Sequence, residues 1–175
     1  LFIQRIKDKL GNRSNASTEM ELQDTWSIMV GEDGRGVRTL DPAAAPISTA
    51  VGVLGMPGMT AYAGLLEVGE LKDGDNVVVS AASGAVGAVV GQIAKIKGHR
   101  VVGVAGVQKK CDYVTGELGV DACVSHRSDT LADELKAACP DGIDLYFENV
   151  GGKVFEAVLP LFNDFARVPV CGRIA

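Results

Sequence analysis

The sequence predicts an α/β fold in which a doubly wound parallel sheet carries helices on both faces. Three observations support this prediction. Short apolar runs alternate with helical patterns from residue 72 onward, which is typical of parallel strands joined by helices. The run at 77–80 leads into a turn of small residues and then into a helix with one apolar stripe. Hydrophobic residues make up 47% of the 175 positions and charged residues 22%, which is enough for a packed core.

The segments that precede the sheet differ from it in composition. Residues 1–20 are basic and then polar, and we interpret them as a tail that includes part of an expression tag, because Ser14-Asn15-Ala16 is typical of a tag scar. Residues 21–41 contain two short apolar runs around a glycine-rich turn, which predicts a β-hairpin. We therefore assign residues 42–175 to the domain that holds the sheet.

Within that domain the pattern predicts two helices followed by five strands. The two helices, 47–54 and 59–68, are separated by the sequence Gly-Met-Pro-Gly at 55–58. Pro169 fits poorly in the last strand, because proline cannot donate a backbone hydrogen bond to a neighbouring strand. The predicted strands are 77–80, 100–105, 121–124, 143–147 and 167–171, and the helices between them are 86–95, 109–118, 128–138 and 153–161.

The turn after the first strand resembles the dinucleotide fingerprint G-x-G-x-x-G, whose glycine positions are occupied here by Ala82, Gly84 and Gly87. Gly84 would let the backbone approach a pyrophosphate, and Gly87 would let the helix lie close to the strand. Ala82 fits the first position only if its φ angle is negative. A tight turn that binds nothing is the alternative. The flanking strands and helix favour a Rossmann-type dinucleotide-binding domain.

The residues after the second strand indicate which cofactor such a domain would bind. An NAD site places an acidic residue there to accept hydrogen bonds from the ribose, whereas this chain has Lys109 and Lys110. Lysines suit a phosphorylated ribose, so the sequence favours NADPH over NADH. An ordinary solvated helix start is the alternative, and we favour it for Lys109. The missing acid also weakens, without excluding, a methyltransferase built on a similar sheet.

Charge and cysteine spacing exclude other functions. The net charge is −5 and no stretch is strongly basic, which argues against nucleic-acid and membrane partners. No apolar run reaches the roughly 18 residues that a membrane span needs. The cysteines are isolated from one another, so neither a metal site nor a disulfide framework is expected, and we interpret them as reduced thiols of a cytoplasmic protein; they are Cys111, Cys123, Cys139 and Cys171.

Four stretches together resemble one family. They are LGMPGMTAY at 54–62, AASGAVG at 81–87, GQIAK at 91–95 and FENVGG at 147–152. In this order and spacing they resemble the medium-chain dehydrogenase/reductase superfamily, and within it the zinc-free, NADPH-dependent alkenal and enone reductases. The resemblance extends from about residue 26 to residue 175 and does not cover the tail.

The resemblance implies roles for individual residues. Lys110 would bind the 2′-phosphate of NADPH, and His126 would lie near that phosphate, although a solvent-exposed histidine at a strand end is an equal alternative. Asn149 would approach the nicotinamide. No catalytic residue is named, because the acid of the reaction is usually credited to groups that this chain does not show. The implied cofactor-binding residues are Gly84, Ala85, Val86, Gly87, Lys110, His126, Asn149, Cys171 and Gly172.

The implied activity is hydride transfer from NADPH to the β-carbon of a small α,β-unsaturated ketone or aldehyde. Family members have a β-rich catalytic domain and further strands, so the resemblance implies that residues 21–41 are a remnant of that domain and that residues 42–175 lack the last strands of theirs. Two functions stay open. The chain is either the NADPH-binding portion of an enone reductase, or a truncated module that binds NADP, or forms homo-oligomers through an open sheet edge, without catalysis.

Overall fold

The computed structural model describes residues 2–6, 18–21 and 46–174. The chain divides into two compact units, Leu1–Asp41 and Pro42–Ala175. In the first unit, strand β1 (Phe2–Ile6) pairs antiparallel with strand β2 (Thr18–Glu21). The hairpin predicted within residues 21–41 lies outside the described residues.

The second unit alternates helices and strands in the predicted manner. It begins with a 3₁₀ helix (Ile47–Val51), helix α1 (Met56–Tyr62) and a π-helical segment (Ala63–Val68). The elements that follow are β3 (Asn76–Val79), α2 (Gly87–Ile96), β4 (Arg100–Ala105), α3 (Gln108–Gly116), β5 (Ala122–Ser125), α4 (Leu131–Ala138), β6 (Ile143–Phe147), α5 (Gly152–Val158), a 3₁₀ turn (Leu159–Leu161) and β7 (Phe162–Arg167).

The five strands of this unit form one parallel sheet in the order β5-β4-β3-β6-β7. Val77 in the central strand lies opposite Val101 on one side and Leu145 on the other. The chain moves outward from β3 in one direction up to β5 and then returns to the other side at β6. Ligands of such sheets bind at this reversal, beyond the carboxyl ends of the strands. The predicted α/β class and doubly wound parallel sheet are confirmed.

Alternating strand residues build a hydrophobic core on each face of the sheet. Val77 and Val79 pack into one cluster together with Val90 of α2. Val78 points to the opposite face and packs with Tyr146 and other residues of the α4 and α5 side. Because side chains of a strand alternate between faces, the apolar run fills both cores and is buried throughout. No helix among the described residues is long and apolar enough to cross a membrane.

The helix predicted at 59–68 begins earlier than expected. Helix α1 starts at Met56 and includes Pro57 in its first turn. Proline is tolerated there because the first N–H groups of a helix have no acceptor within the helix. The predicted break at 55–58 is therefore wrong. The helix predicted at 47–54 is also shorter, since only the 3₁₀ helix Ile47–Val51 forms.

The last strand is also displaced from its prediction. β7 spans Phe162–Arg167, whereas the sequence favoured 167–171. The chain continues beside β6 after β7 ends, because the Glu148 N–H donates to the Pro169 carbonyl at 3.0 Å. Pro169 has no N–H to extend a regular ladder, so this part forms only an isolated bridge. The four other predicted strands lie within one residue of those observed.

Candidate dinucleotide-binding site

The turn between β3 and α2 closes around one carbonyl oxygen. Gly84 N–H donates to the Ala81 carbonyl at 2.8 Å, and Ala82 N–H donates to the Val104 carbonyl of β4 at 2.9 Å. Ala82 has a negative φ, and the left-handed conformation falls on Ala81, with φ 49°. A Cβ atom on Gly103 of β4 would lie 2.8 Å from the Ala82 Cβ. Gly103 thus provides the space that lets alanine occupy the first fingerprint position.

Gly87 allows α2 to start directly against this turn. A Cβ atom on Gly87 would lie 2.4 Å from the Ala81 carbonyl oxygen, and one on Gly84 would lie 3.1 Å from the same atom. Within residues 46–174, the backbone N–H groups of Ala85, Val86 and Gly87 donate to no backbone carbonyl. N–H groups at a helix start, together with the helix dipole, provide a place for an anion.

A cavity of about 260 Å³ lies beside this turn. It is bordered by the ends of β4 and β5, the start of α3, and the chain after β6. The structure brings three of the predicted residues to it, namely Gly84, Lys110 and His126. We call it the first cavity; its lining residues are Ala81, Ser83, Gly84, Val104, Ala105, Gly106, Lys110, His126, Val150, Val154 and Ile174.

Positively charged side chains lie near His126, at one side of the first cavity. Lys110 is exposed in the first turn of α3, which contains no acidic residue. Burial lowers the pKa of His126, and the nearby cations Arg127, Lys153 and Lys110 lower that pKa further. A lysine at the start of a helix is unfavourable unless an anion is near. The first cavity contains no carboxylate side chain, so its lining fits the phosphorylated ribose of a dinucleotide.

Lys153 is a cation that the sequence analysis missed. It lies in the first turn of α5 and its Nζ donates to the Ser128 carbonyl at 3.2 Å. That contact joins residues 25 positions apart and brings the Lys153 charge towards His126. The only sequence signal was a lysine directly after Gly151-Gly152.

A buried polar cluster lies where β3 and β6 end; we call it the switch-point cluster and define it as Ser80, Glu148 and Asn149. Ser80 Oγ donates to Glu148 Oε1 at 2.9 Å and accepts from the Asn149 N–H at 2.7 Å. Asn149 Nδ2 donates to the Ser80 carbonyl at 2.8 Å, and the Val150 N–H donates to Glu148 Oε1 at 2.6 Å. The Asn149 amide group therefore joins the two strand ends. Sequence reasoning missed Ser80 and Glu148, whose signal was a polar residue directly after a buried strand.

Cys171 and Gly172 lie beside the switch-point cluster and do not line the first cavity. Both of their N–H groups donate to the Glu148 carbonyl, at 2.9 and 3.2 Å. A Cβ atom on Gly172 would lie 2.7 Å from the Asn149 carbonyl oxygen, so the chain passes very close to β6 here. Gly172 borders a second cavity of about 230 Å³ together with Glu148 and Arg173.

Comparison with known proteins identifies the family. A family profile described as "Zinc-binding dehydrogenase" matches residues 85–175. The chain belongs to this family. Among residues 2–6, 18–21 and 46–174, however, no group of three or more His, Cys, Asp or Glu residues could hold a metal ion.

Individual relatives define the branch of the family more narrowly than the family profile does. The chain is 60% identical to the NADPH-dependent curcumin reductase of Escherichia coli over 128 residues, which are 73% of this chain and 37% of that protein. It is 51% identical to the NADP⁺-dependent 2-alkenal reductase of Nicotiana tabacum over 74% of this chain and 38% of that protein. The crystal structure of CurA from Vibrio vulnificus in complex with NADPH matches with a TM-score of 0.71 and 56% identity, covering 72% of this chain and 37% of that one.

These relatives confirm the resemblance to the enone-reductase branch of the medium-chain dehydrogenase/reductase superfamily. This chain spans between 37% and 38% of the length of the relatives it matches here. The matched family region begins at residue 85, in the turn that precedes α2, and includes Lys110 and His126.

Proposed function

We propose that this chain is the NADPH-binding portion of an oxidoreductase that reduces the C=C bond of α,β-unsaturated ketones or aldehydes. The observation that carries the proposal is the first cavity, in which a glycine turn at a helix start meets Lys110 and His126 without any carboxylate. In this proposal residues 42–175 are the dinucleotide-binding domain, and residues 21–41 belong to a catalytic domain.

The cofactor would lie along the carboxyl edge of the sheet. The backbone from Gly84 to Gly87 and the start of α2 would hold the pyrophosphate, because the N–H groups of Ala85, Val86 and Gly87 form no other backbone hydrogen bond within the described unit. Lys110 and His126 would contact the 2′-phosphate, with the charge of Lys153 nearby. Asn149, Cys171 and Gly172 would border the nicotinamide side.

When bound, NADPH would supply the hydride that is added to the β-carbon of the substrate. The residues of this chain would bind NADPH and orient it. The switch-point cluster holds the ends of β3 and β6 at a fixed separation through hydrogen bonds of 2.7 to 2.9 Å. A fixed separation keeps the turn after β3 and the chain after β6 in constant positions relative to each other. Both halves of a dinucleotide would therefore meet a preformed surface.

The substrate class is supported by what relatives are called. One relative is named a curcumin reductase and another a 2-alkenal reductase, and both names include NADPH or NADP⁺. A 2-alkenal is an aldehyde with a conjugated C=C bond. Identities of 51% and 60% to these two proteins support the same substrate chemistry here.

We also propose that the protein acts without zinc and is located in the cytoplasm. Similarity to the enone-reductase branch supports zinc independence, and the four free thiols support a reducing compartment. Plasma emission analysis of the dialysed protein tests the first point: we expect zinc well below one equivalent, and one tightly bound equivalent would overturn it.

A module that associates without catalysis is the second candidate. β7 is an edge strand of the sheet, and its Phe165 side chain is 97% exposed with φ 64°. An open edge with an exposed aromatic residue favours pairing with a second copy of the chain. Light scattering after size exclusion tests this: a dimer mass that a Phe165→Asp variant converts to a monomer mass supports pairing, and a monomer mass at all concentrations rejects it.

Nicotinamide fluorescence titration, followed by an NADPH oxidation assay with a simple enone, tests the main proposal. Saturable NADPH binding together with turnover supports the reductase. Binding without turnover by this chain favours an NADP-binding module, and absence of NADPH binding contradicts both the reductase and the NADP-binding module. Lys110→Ala should weaken NADPH binding in the same titration. Lys109→Ala is its matched control, because Lys109 is exposed one residue before Lys110 and does not line the first cavity.

A further inference from the structure

Two cysteines that are far apart in sequence lie in contact behind the first cavity. Cys111 is on α3 and Cys123 is on β5, and the Cys123 thiol donates to Cys111 Sγ at 2.9 Å. A covalent S–S bond is about 2.04 Å long, so the two sulfurs need to approach by only about 0.9 Å to bond. The two cysteines look isolated in the sequence, because their spacing does not reveal the packing of α3 against β5 that brings them together.

We propose that Cys111 and Cys123 are a redox modification site that forms a reversible disulfide within the chain. The oxidant is a small diffusible disulfide such as oxidised glutathione. The first protein thiol loses its proton and attacks the external disulfide, which releases one glutathione thiolate and leaves a mixed disulfide. The second protein sulfur then displaces the remaining glutathione. The protein loses two electrons and two protons, and the external disulfide becomes two thiols.

Burial assigns the order of the two attacks. Cys123 is half-buried, whereas Cys111 is 3% exposed. An external disulfide therefore reaches Cys123 first, and Cys111 resolves the intermediate. Burial and the neighbouring Cys111 raise the pKa of the Cys123 thiol, so it is protonated at neutral pH and the first attack is slow. The reaction becomes faster as the pH rises.

The other two cysteines provide internal comparisons. Cys171 is exposed, and Cys139 is buried behind α4; neither has a sulfur partner among the described residues. Exposed Cys171 is therefore expected to form a mixed disulfide with glutathione and no bond within the chain. Cys139 is expected to stay reduced, because burial raises its pKa to about 11 and limits access.

The crosslink would join two elements that border the first cavity. Lys110 directly precedes Cys111, and His126 follows Cys123 by three residues on the chain leaving β5. A bond between the sulfurs would fix the first turn of α3 relative to β5. It would also close a loop between two residues that lie 12 positions apart, which restricts the unfolded chain and raises Tm by about 5 °C.

The test equilibrates the complete chain in glutathione buffers of increasing oxidation, followed by acid quenching, denaturation and alkylation with N-ethylmaleimide. Glutathione is first removed gently from Cys171. Before alkylation, the intact mass should then be about 2 Da lower than that of the fully reduced chain. After alkylation, we expect two modified thiols instead of four and one peptide that links residues 111 and 123. Dithiothreitol should restore four thiols. Four alkylated thiols under oxidising conditions, or a crosslink between any other pair, would overturn the proposal.

Variants separate the crosslink from unspecific oxidation. Cys171→Ser should keep the linked peptide and the rise in Tm. Cys111→Ala should lose both and instead accumulate glutathione on Cys123, because no second sulfur remains to displace it. A rise in Tm that persists in Cys111→Ala would contradict the assignment, and this readout does not depend on cofactor binding.

Discussion

The first cavity and the switch-point cluster are both built at the carboxyl edge of the sheet, but they use their side chains in opposite ways. Lys110 of the first cavity is exposed, and it lies in a positively charged neighbourhood. Ser80 and Glu148 of the cluster are at most 3% exposed and bond to each other. We infer that the cavity residues determine which anion binds, whereas the cluster residues determine whether the two strand ends keep their positions.

Because of this difference, the first cavity is tested by ligand affinity and the switch-point cluster by the free energy of unfolding. Exposed charges in water contribute little to folding, so changes in the cavity should alter affinity with little effect on unfolding. Buried polar groups are costly when they lose a partner, so changes in the cluster should alter the free energy of unfolding first. The predictions below test this separation, from the largest expected effect to the smallest.

Glu148→Ala should have the largest effect. It removes Oε1, which accepts from both Ser80 Oγ and the Val150 N–H. Ser80 Oγ can still donate to the Phe147 carbonyl at 3.2 Å, whereas the Val150 N–H is left without a partner in a partly buried site. We expect a loss of about 3 kcal/mol in the free energy of unfolding, measured by urea titration. Glu148→Gln keeps an acceptor oxygen and should lose about 1 kcal/mol or less. Equal stability of the Ala variant and the wild-type chain would contradict the structural role.

Gly87→Ala should have the next largest effect, because a Cβ atom would lie 2.4 Å from the Ala81 carbonyl oxygen. The start of α2 must then move away from the turn. We expect a loss of about 2 kcal/mol in unfolding free energy together with weaker NADPH binding. Gly116→Ala in α3 is the control, since its Cβ would meet no atom within 4 Å. If Gly87→Ala and Gly116→Ala have the same unfolding free energy and NADPH affinity, the turn can accommodate a Cβ atom at position 87.

Lys110→Ala should alter affinity without altering stability. Loss of a charged contact to the 2′-phosphate should weaken NADPH binding about tenfold, which corresponds to about 1.4 kcal/mol, while NADH binding stays within about twofold. Lys109→Ala should leave both affinities within about twofold. If Lys110→Ala weakens both cofactors equally, the assignment of Lys110 to the 2′-phosphate is wrong.

The pH dependence of binding tests His126. In the free chain, burial and neighbouring cations hold the pKa of His126 below its ordinary value of 6.5. A bound phosphate would offset that repulsion and raise the pKa, so a proton is taken up on binding and affinity increases as the pH falls between the two values. Relative to His126→Gln, the wild-type chain should gain about threefold in NADPH affinity from about pH 8 to about pH 6. A constant ratio would show that His126 does not contact the phosphate.

The parts of the fold that the sequence predicts well are those whose environment is uniform. The apolar runs of β3 and β6 are buried on both faces of the sheet, so their composition alone locates them within one residue. β7 lies at the sheet edge and contains polar Asn163 and Asp164, which gives it the composition of a loop. Helix α1 was misplaced because Pro57 is read as a helix breaker, although in the first turn it costs nothing.

Residues of the candidate dinucleotide-binding site were predictable only where they belong to a local sequence motif. The glycine turn lies between β3 and α2, and Lys110 follows β4, so both follow from spacing along consecutive strands and helices. The pairing of Ser80 with Glu148 joins residues 68 positions apart, and the contact of Lys153 with Ser128 joins residues 25 positions apart. Such contacts depend on the order of strands in the sheet, which local patterns do not determine.

The most direct test of the account is a calorimetric titration of this chain with 2′,5′-ADP and with 5′-AMP, which differ only in the 2′-phosphate. These ligands lack the nicotinamide, so binding depends on the first cavity and requires no other domain. We expect 2′,5′-ADP to bind at least about tenfold more tightly than 5′-AMP, and Lys110→Ala to abolish the difference. Equal affinity of the wild-type chain for both ligands would contradict the assignment of the first cavity to a phosphorylated ribose.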